Sequence, residues 1–406
     1  MMAHVVIVGA GQAGAAAAAK LRALGFDGEI TMLGAEPAPP YQRPPLSKAY
    51  LMGEMEEERL WLRAPEFWAE SRVTLKLGAV VTAIDTGAQS VTVQDDGGTE
   101  VLAYDELILT TGSTPRRLPA AIGGELAGVY TVRTLADVDA MKAEFVAGRR
   151  LVIVGGGYIG LEAAAVGRKL GLEVTVLEMA PRILQRVAAP ETSAYFRALH
   201  QSHGAVIREE TGLDRLLGSD RVTGVRLKDG SDLPADFVIV GVGIMPNTAE
   251  AEAAGIVIEN GIKTDLRGAT SAPHVWAAGD CASFPLLGAQ MRIESVGNAI
   301  DQAELVAENI MGAGKDYVPA PWFWSDQYDC KLQIAGLNIG YDRILTRGPV
   351  GEAVSFWYFK GERLIAVDAM NDSRAYMVGK RLIEAGRTPD EAKLVDPAVE
   401  MKTLLK

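Results

Sequence analysis

The amino-acid sequence predicts an α/β chain: two parallel-sheet units followed by a C-terminal α+β domain with an antiparallel sheet. Three observations carry that prediction. Val5–Gly14 reads VVIVGAGQAG and Leu151–Gly160 reads LVIVGGGYIG, so an apolar strand, a glycine-rich turn and a helix-like segment occur twice. Near Pro319 the text changes to PWFWSDQYDCKLQIAGL and then VSFWYFKGERLIAVDAM, aromatic and β-branched runs that read as antiparallel strands.

Taken in order, the first unit opens on an apolar strand, a helix over residues 15–25 ended by Gly25, and a second strand in EITMLGAE. YQRPPLSK at 41–48 is interrupted by prolines, which disfavour both a helix and a central strand. From Val80 to Thr111 the pattern is strand-like, with Val91 and Val93 on one face and a DDGG turn after them, so a short antiparallel insertion fits. DELILTTG at 105–112 is an apolar strand running into Thr-Thr-Gly. The second unit has its own strand and helix, a further strand in LEVTVLE, and a meander ending in DFVIVGVGIMPN. WAAGDCA at 276–282 and a helical stretch from Ser295 to Met311 read as a return to the first domain. In the last domain Lys360-Gly361-Glu362 joins two strands, and the tail from Ser373 is helical and turn-rich. The expected domains are therefore 1–114 with 247–318, then 115–246, then 319–406.

Composition narrows the function. A hydrophobic share of 48% with 23% charged residues is that of a globular chain and argues against disorder. The sequence has no apolar run of the ~18 residues that suggest a membrane helix, and no basic region precedes its Ala-rich start, so a cytoplasmic chain is expected. The formal charge of -12 argues against general nucleic-acid binding. Cys281 and Cys330 stand in no C-x-x-C or C-x4-C spacing, which excludes a local dithiol relay. His200 and His203 stand three apart on a helix with no carboxylate or cysteine in a matching pattern, so they read as a solvated helix face rather than a metal site.

Each glycine of the repeated series has a physical task. The first permits a tight turn, the second lets backbone approach a pyrophosphate, and the third lets helix pack on strand, with the anion at the helix N-terminus. Both units are accordingly read as Rossmann-like dinucleotide-binding domains. Glu178, in VTVLEMA, is placed to accept hydrogen bonds from an adenosine ribose and to repel a 2′-phosphate, which favours NADH over NADPH; Arg182 lies close by. In the first unit this position falls at Ala35 or Glu36, and only Glu36 can do the same work. The simplest reason for one chain to hold two dinucleotides is that one is a bound flavin, FAD, and the other a diffusible nicotinamide that hands it a hydride.

With PYQRPPLSKAYL, TTGSTPR, YTVRTLAD, GVGIMPN, AAGDCA, RIESVGNAIDQA and PWFWSDQYD, the sequence resembles the glutathione-reductase-type flavoprotein superfamily. Within it, the chain is similar to the NADH-dependent ferredoxin reductases of the putidaredoxin reductase type. The resemblance spans nearly the whole chain, and PPLSK together with PWFWSDQYD is its specific part. It implies FAD in 1–114 and 247–318, held at the pyrophosphate by Gly9, Gly11, Ala13 and Gly14, with Arg43 and Lys48 nearby. Val81 would meet the adenine end, while Thr111, Gly112, Arg133, Asp280 and Val296 would complete the site, Asp280 at the ribitol and Val296 at the pyrimidine edge. Pro45 and Trp324 would flank the isoalloxazine, and Glu162 would pair with Lys48 beneath it. For NADH, in 115–246, the resemblance implies Gly155, Gly157, Tyr158, Ile159, Gly160, Glu178 and Gly243. On the residues alone, Trp322 and Trp324 also fit the core of the last sheet, Asp280 a helix cap, and Glu162 an exposed helix charge. Ala35 departs from relatives that often carry an acid there.

Disulfide reductases of this superfamily carry a redox-active cysteine pair after the first glycine series, and NADH oxidases or peroxidases a single cysteine near the position of Ser47. Neither is present. Electrons are therefore expected to leave the flavin directly and singly for an outside carrier. The resemblance implies a 2Fe-2S ferredoxin that feeds a haem-thiolate monooxygenase or a ring-hydroxylating dioxygenase. The tail Ser373–Lys406 has seven basic residues against five acidic, so Arg374, Lys380 and Arg381 with Arg343 are read either as a docking patch or as a solvated face. Two rivals remain at this level: another acceptor, rubredoxin or monodehydroascorbate, and a signalling flavoprotein like apoptosis-inducing factor, which shares PPLSK-like text. The expected lack of a targeting segment or long insertion counts against the second.

Overall fold

The computed structural model describes residues 3–349 and 353–406. By its internal contacts the chain forms two units. One takes in the chain up to Gln42 with Glu57–Thr114 and Met245–Pro321; the other comprises Arg43–Glu56, Pro115–Ile244 and Trp322–Lys406.

The first unit is built on a five-stranded parallel sheet in the order Val275–Ala277, Glu106–Leu109, His4–Val8, Glu29–Gly34, Val73–Leu77. Its central strand explains the apolar run of the sequence. Val5 and Ile7 enter a core with Ala17, Leu21 and Trp68, while Val6 and Val8 enter a second core with Val91, Val93 and Leu107. A parallel strand covered on both faces has no polar side to show. The helix Gln12–Ala23 follows that strand and packs against the helix Val296–Ile310, so the late segment does return to the first sheet. The first helix starts before the expected residue 15 because Gly11 itself is the extended N-cap. The insertion is a three-stranded antiparallel sheet, Val80–Asp85, Ser90–Asp95 and Gly98–Ala103.

The second unit repeats the design. Its parallel sheet runs Val206–Arg208, Glu173–Leu177, Arg150–Val154, Phe237–Val240, Val129–Tyr130, with the helix Tyr158–Lys169 behind the central strand. The meander is Leu213–Gly218, Val222–Leu227 and Asp232–Pro234. The C-terminal part is a five-stranded antiparallel sheet in the order Trp322–Gln327, Cys330–Gly336, Arg363–Met370, Val354–Lys360, Arg343–Arg347. Gly361, at φ 56°, turns the chain between Val354–Lys360 and Arg363–Met370. The helix Ser373–Glu384 covers this sheet through Ala375, Val378 and Leu382. The proline-rich loop is not wholly irregular: Pro44–Ser47 closes a 3-10 turn, since prolines at its first positions need donate no helical hydrogen bond.

Candidate active site

Gly9 leaves the first strand with φ 114°, and Gly155 leaves its counterpart with φ 109°. A Cβ at Gly9 would stand 2.2 Å from the Thr110 carbonyl oxygen, and one at Gly155 would stand 2.3 Å from that of Gly241. At Gly14 a Cβ would meet the Gly9 carbonyl oxygen at 2.0 Å; at Gly160 it would meet that of Gly155 at 2.4 Å. The middle residues, Gly11 and Gly157, face nothing within 4 Å. The protein's own backbone thus demands the first and third glycines. The second stands beside open space, where nothing among the described residues demands a glycine.

The helices behind these turns begin on Gly11 and Gly157 with no side-chain cap and no acid in the first turn. Thr134, Ser295, Asp372 and Asp390, in contrast, cap their helices with their own oxygens. Uncapped N–H groups at the positive end of a helix dipole fit a pyrophosphate at both turns.

In the first unit a cavity of about 460 Å³ adjoins Gly9 and is lined also by Leu33, Ala35, Val81, Thr111 and Asn247. Glu36 accepts a 2.5 Å hydrogen bond from the Tyr41 hydroxyl. The Thr111 hydroxyl donates to the Asn247 carbonyl at 2.6 Å, and the Asn247 amide donates back to the Thr111 carbonyl at 2.8 Å. Gly112 follows at φ 69°. Asp280 accepts from the Ser113 hydroxyl at 3.0 Å, and the chain after it enters the strand Ala282–Leu286 rather than a helix, so it is not a helix cap. Ala13, in the first turn of its helix, lies where a Cβ on Gly279 would come within 3.1 Å of it.

The second unit holds the remaining expected residues. Arg43 Nη1 donates to the Arg133 carbonyl at 2.7 Å, and Pro45 lies in the 3-10 turn. Lys48 Nζ stands 2.7 Å from Glu162 Oε2, which also accepts from the Ser47 hydroxyl at 2.5 Å; Glu162 Oε1 accepts from Ser325 at 2.7 Å. Glu162 is 4% exposed, so the reading as an exposed helix charge is overturned. A carboxylate buried this far is tolerated because one cation and two hydroxyls bond it.

Glu178 follows the strand Glu173–Leu177 and is held by the N–H groups of Gly156, at 2.8 Å, and Ala180, at 2.7 Å. Arg182 is engaged by the Ala188 carbonyl at 2.8 Å and Ser193 at 2.5 Å. The half-buried Tyr158 ring packs against Phe323, and its hydroxyl is buried with no hydrogen-bond partner among the described residues. Ile159 is exposed, and Gly243, at φ 100°, accepts from the Arg116 N–H at 2.9 Å. Trp324 is half-buried and stacks on Trp322 at 5.5 Å; neither is sealed in the core of the sheet.

One further expectation changes. His200 is not on a solvated face: it is 0% exposed, bonded through Nε2 to Gln327 at 2.8 Å and through Nδ1 to the Tyr328 hydroxyl at 3.1 Å. Of the basic residues of the tail and the last sheet, Arg343 and Lys380 are ion-paired with Glu391 and Glu384, while Arg374 and Arg381 are exposed. Cys281 and Cys330 are both free and buried. The sequence reading passed over Asn247, Ser325 and Gln327, although GVGIMPN and PWFWSDQYD had drawn attention to their segments, and it noted Ser47 only as the place of a missing cysteine.

Fold and site together define an oxidoreductase class, a chain with two dinucleotide cradles. The pyridine nucleotide-disulphide oxidoreductase model matches residues 3–303, and a reductase C-terminal model matches 322–405. The chain is 44% identical to a ferredoxin–NAD(P)+ reductase of a Sphingomonas species, over 99% of this chain and 97% of that one. It is 40% identical to the ferredoxin–NAD+ reductase component of the anthranilate 1,2-dioxygenase system of Burkholderia cepacia, over 98% of each. Its fold is similar to the crystal structure of the covalent putidaredoxin reductase–putidaredoxin complex, with a TM-score of 0.95 and 41% identity over 99% of this chain and 98% of that chain. The chain belongs to the pyridine nucleotide-disulphide oxidoreductase family. Its cofactors are FAD and NAD(H).

Proposed function

We infer that this cytoplasmic chain takes a hydride from NADH and passes electrons one at a time to a 2Fe-2S ferredoxin that serves a haem-thiolate monooxygenase or a ring-hydroxylating dioxygenase. One observation carries the reading: two glycine cradles open to an outside anion occur in a chain whose two thiols are both buried. FAD, when bound, supplies the conversion of a two-electron donor into single electrons.

In this reading residues 1–114 and 247–318 hold FAD, 115–246 hold NAD(H), and 319–406 carry the antiparallel sheet. Gly9, Gly11, Ala13 and Gly14 receive one pyrophosphate; Glu36 and Asp280 accept from sugar hydroxyls, and Val81 covers the adenine. Gly155, Gly157 and Gly160, with the N–H groups of Tyr158 and Ile159, receive the other. Hydride transfer needs alignment and exclusion of water more than an acid or base. Pro45, Lys48, Glu162 and Trp324 therefore act by position. Glu178, already fixed by two N–H groups, presents its remaining lone pairs to a ribose and repels a 2′-phosphate, and Arg182 is turned to other partners.

The test mixes the protein anaerobically with NADH or NADPH and then with oxidised 2Fe-2S ferredoxins. Expected is a kcat/KM at least about tenfold higher with NADH, ~1.4 kcal/mol of discrimination, and bleaching of a ferredoxin. A preparation that takes up no flavin, or that leaves every 2Fe-2S ferredoxin oxidised, overturns the reading.

A further inference from the structure

Glu162 is the inner end of a hydrogen-bonded chain that crosses the second unit. Ser325 Oγ lies 2.7 Å from Glu162 Oε1, and Gln327 Nε2 lies 3.1 Å from Ser325 Oγ. Gln327 Oε1 lies 2.8 Å from His200 Nε2, and His200 Nδ1 lies 3.1 Å from the Tyr328 hydroxyl. Ser325, Gln327 and His200 are each 0% exposed. Tyr328 is half-buried and stacks on the exposed His203 at 3.7 Å.

The direction of every bond follows from one charge. Paired with Lys48 and bonded by Ser47, Glu162 is a carboxylate and can only accept. Ser325 must therefore spend its single hydrogen on Glu162 and receive one from Gln327. That places the Gln327 amide nitrogen toward Ser325 and its oxygen toward His200. His200 must then carry its hydrogen on Nε2, which leaves Nδ1 to accept from Tyr328. Burial pushes the His200 pKa down to about 4, so the ring stays neutral near pH 7. Around this chain stand Lys48 and Tyr158 at the inner end, with Asp368 also acting on Tyr158, and His203 and Arg168 at the outer end.

We propose that Tyr328, His200, Gln327 and Ser325 are positioning residues of the NADH-driven reaction, a one-way series of donors that fixes the orientation of the Glu162 carboxylate and thereby holds Lys48 in place. This rests on the assignment of Lys48 and Glu162 to that reaction. Aligned hydrogen bonds polarise one another in a low dielectric, so a buried series of this kind acts as a unit, and breaking it far from Glu162 weakens the last bond. Buried polar groups are costly unless each is bonded; here every member is bonded, and the series fixes one tautomer and one orientation.

The first measurement does not depend on turnover. In 15N-histidine holoenzyme, which has only four histidines, His200 is identified by its loss in His200→Gln, and its ring is expected in the Nε2–H form at pH 7. The Nδ1–H form overturns the proposal. The second separates the rate of flavin reduction at saturating NADH from the NADH concentration that half-saturates it. Gln327→Leu and His200→Leu are expected to lower the saturating rate about fivefold with little change in half-saturation, whereas His200→Gln, whose amide can donate to Gln327, restores the wild-type rate. Unchanged saturating rates in both Leu variants overturn the proposal, and should those variants fail to fold, the wild-type tautomer still decides. A protein that shows the Nε2–H form and the lowered rates yet reduces no ferredoxin leaves this inference standing and removes the proposed acceptor.

Discussion

Asp368 is 1% exposed, and its carboxylate accepts a hydrogen bond from Thr192 at 2.7 Å and another from the Tyr358 hydroxyl. Burial raises its pKa to about 6 against the pull of those two donors. Because this carboxyl is raised on folding, its contribution to stability is full below about pH 4 and is lost as pH rises through about 6, a change of ~3 kcal/mol. Asp368→Asn keeps the shape and one acceptor oxygen but cannot ionise. Urea unfolding at pH 4 and pH 7 should therefore show the variant gaining ~2 kcal/mol on the wild type between the two, since part of the change already precedes pH 4. A difference that does not grow with pH would refute the account. His200 shows why such groups escape a sequence reading. Helical spacing tells which residues share a face; it does not tell what covers the face, and the covering Gln327 lies 127 residues further along the chain.

At the scale of elements, the strand–turn–helix is the most legible part of the molecule because all its causes are local. An apolar run buried on both faces, a glycine at positive φ and a glycine-capped helix are each written within ten residues of one another. The order of the last sheet is not wholly legible in this way: the hairpin of Val354–Lys360 and Arg363–Met370 is local, but the pairing of Arg363–Met370 with Cys330–Gly336 is one no local pattern fixes. The cradle geometry separates ligand binding from folding. Gly11→Ala and Gly157→Ala meet no neighbour, whereas Gly14→Ala drives a Cβ to 2.0 Å from a carbonyl oxygen. Gly11→Ala should keep the wild-type melting temperature but bind FAD at least about tenfold more weakly, and Gly157→Ala should keep its FAD and raise KM for NADH by a similar factor, ~1.4 kcal/mol in each case. Gly14→Ala should lose more than ~2 kcal/mol of stability. Equal melting temperatures in all three variants would show that the glycines are not divided between two tasks.

For the whole molecule, the family name includes a disulphide that this chain lacks, so the route of its electrons depends on what its two thiols can do. Cys281 is 0% exposed and its Sγ faces the carbonyls of Leu109, at 3.5 Å, and Ala278, at 3.4 Å. Burial raises its pKa and pushes that of Cys330, which is 2% exposed, up to about 11. Only the thiolate attacks or is oxidised readily, and both residues are held as thiols near neutral pH. At Ser47, a hydroxyl bonded to Glu162 stands where a reactive cysteine would otherwise be sought. Serine at 281 can donate to the same carbonyls, so Cys281→Ser, Cys330→Ser and the double variant should reduce ferredoxin with kcat within about twofold of wild type, less than ~0.5 kcal/mol in the barrier. N-ethylmaleimide should leave the native protein unlabelled and active. The decisive comparison is between two rates in the double variant, flavin reduction by NADH and onward reduction of ferredoxin. Loss of the second with the first intact would place a sulfur on the electron path, and buried thiols could no longer be counted against it.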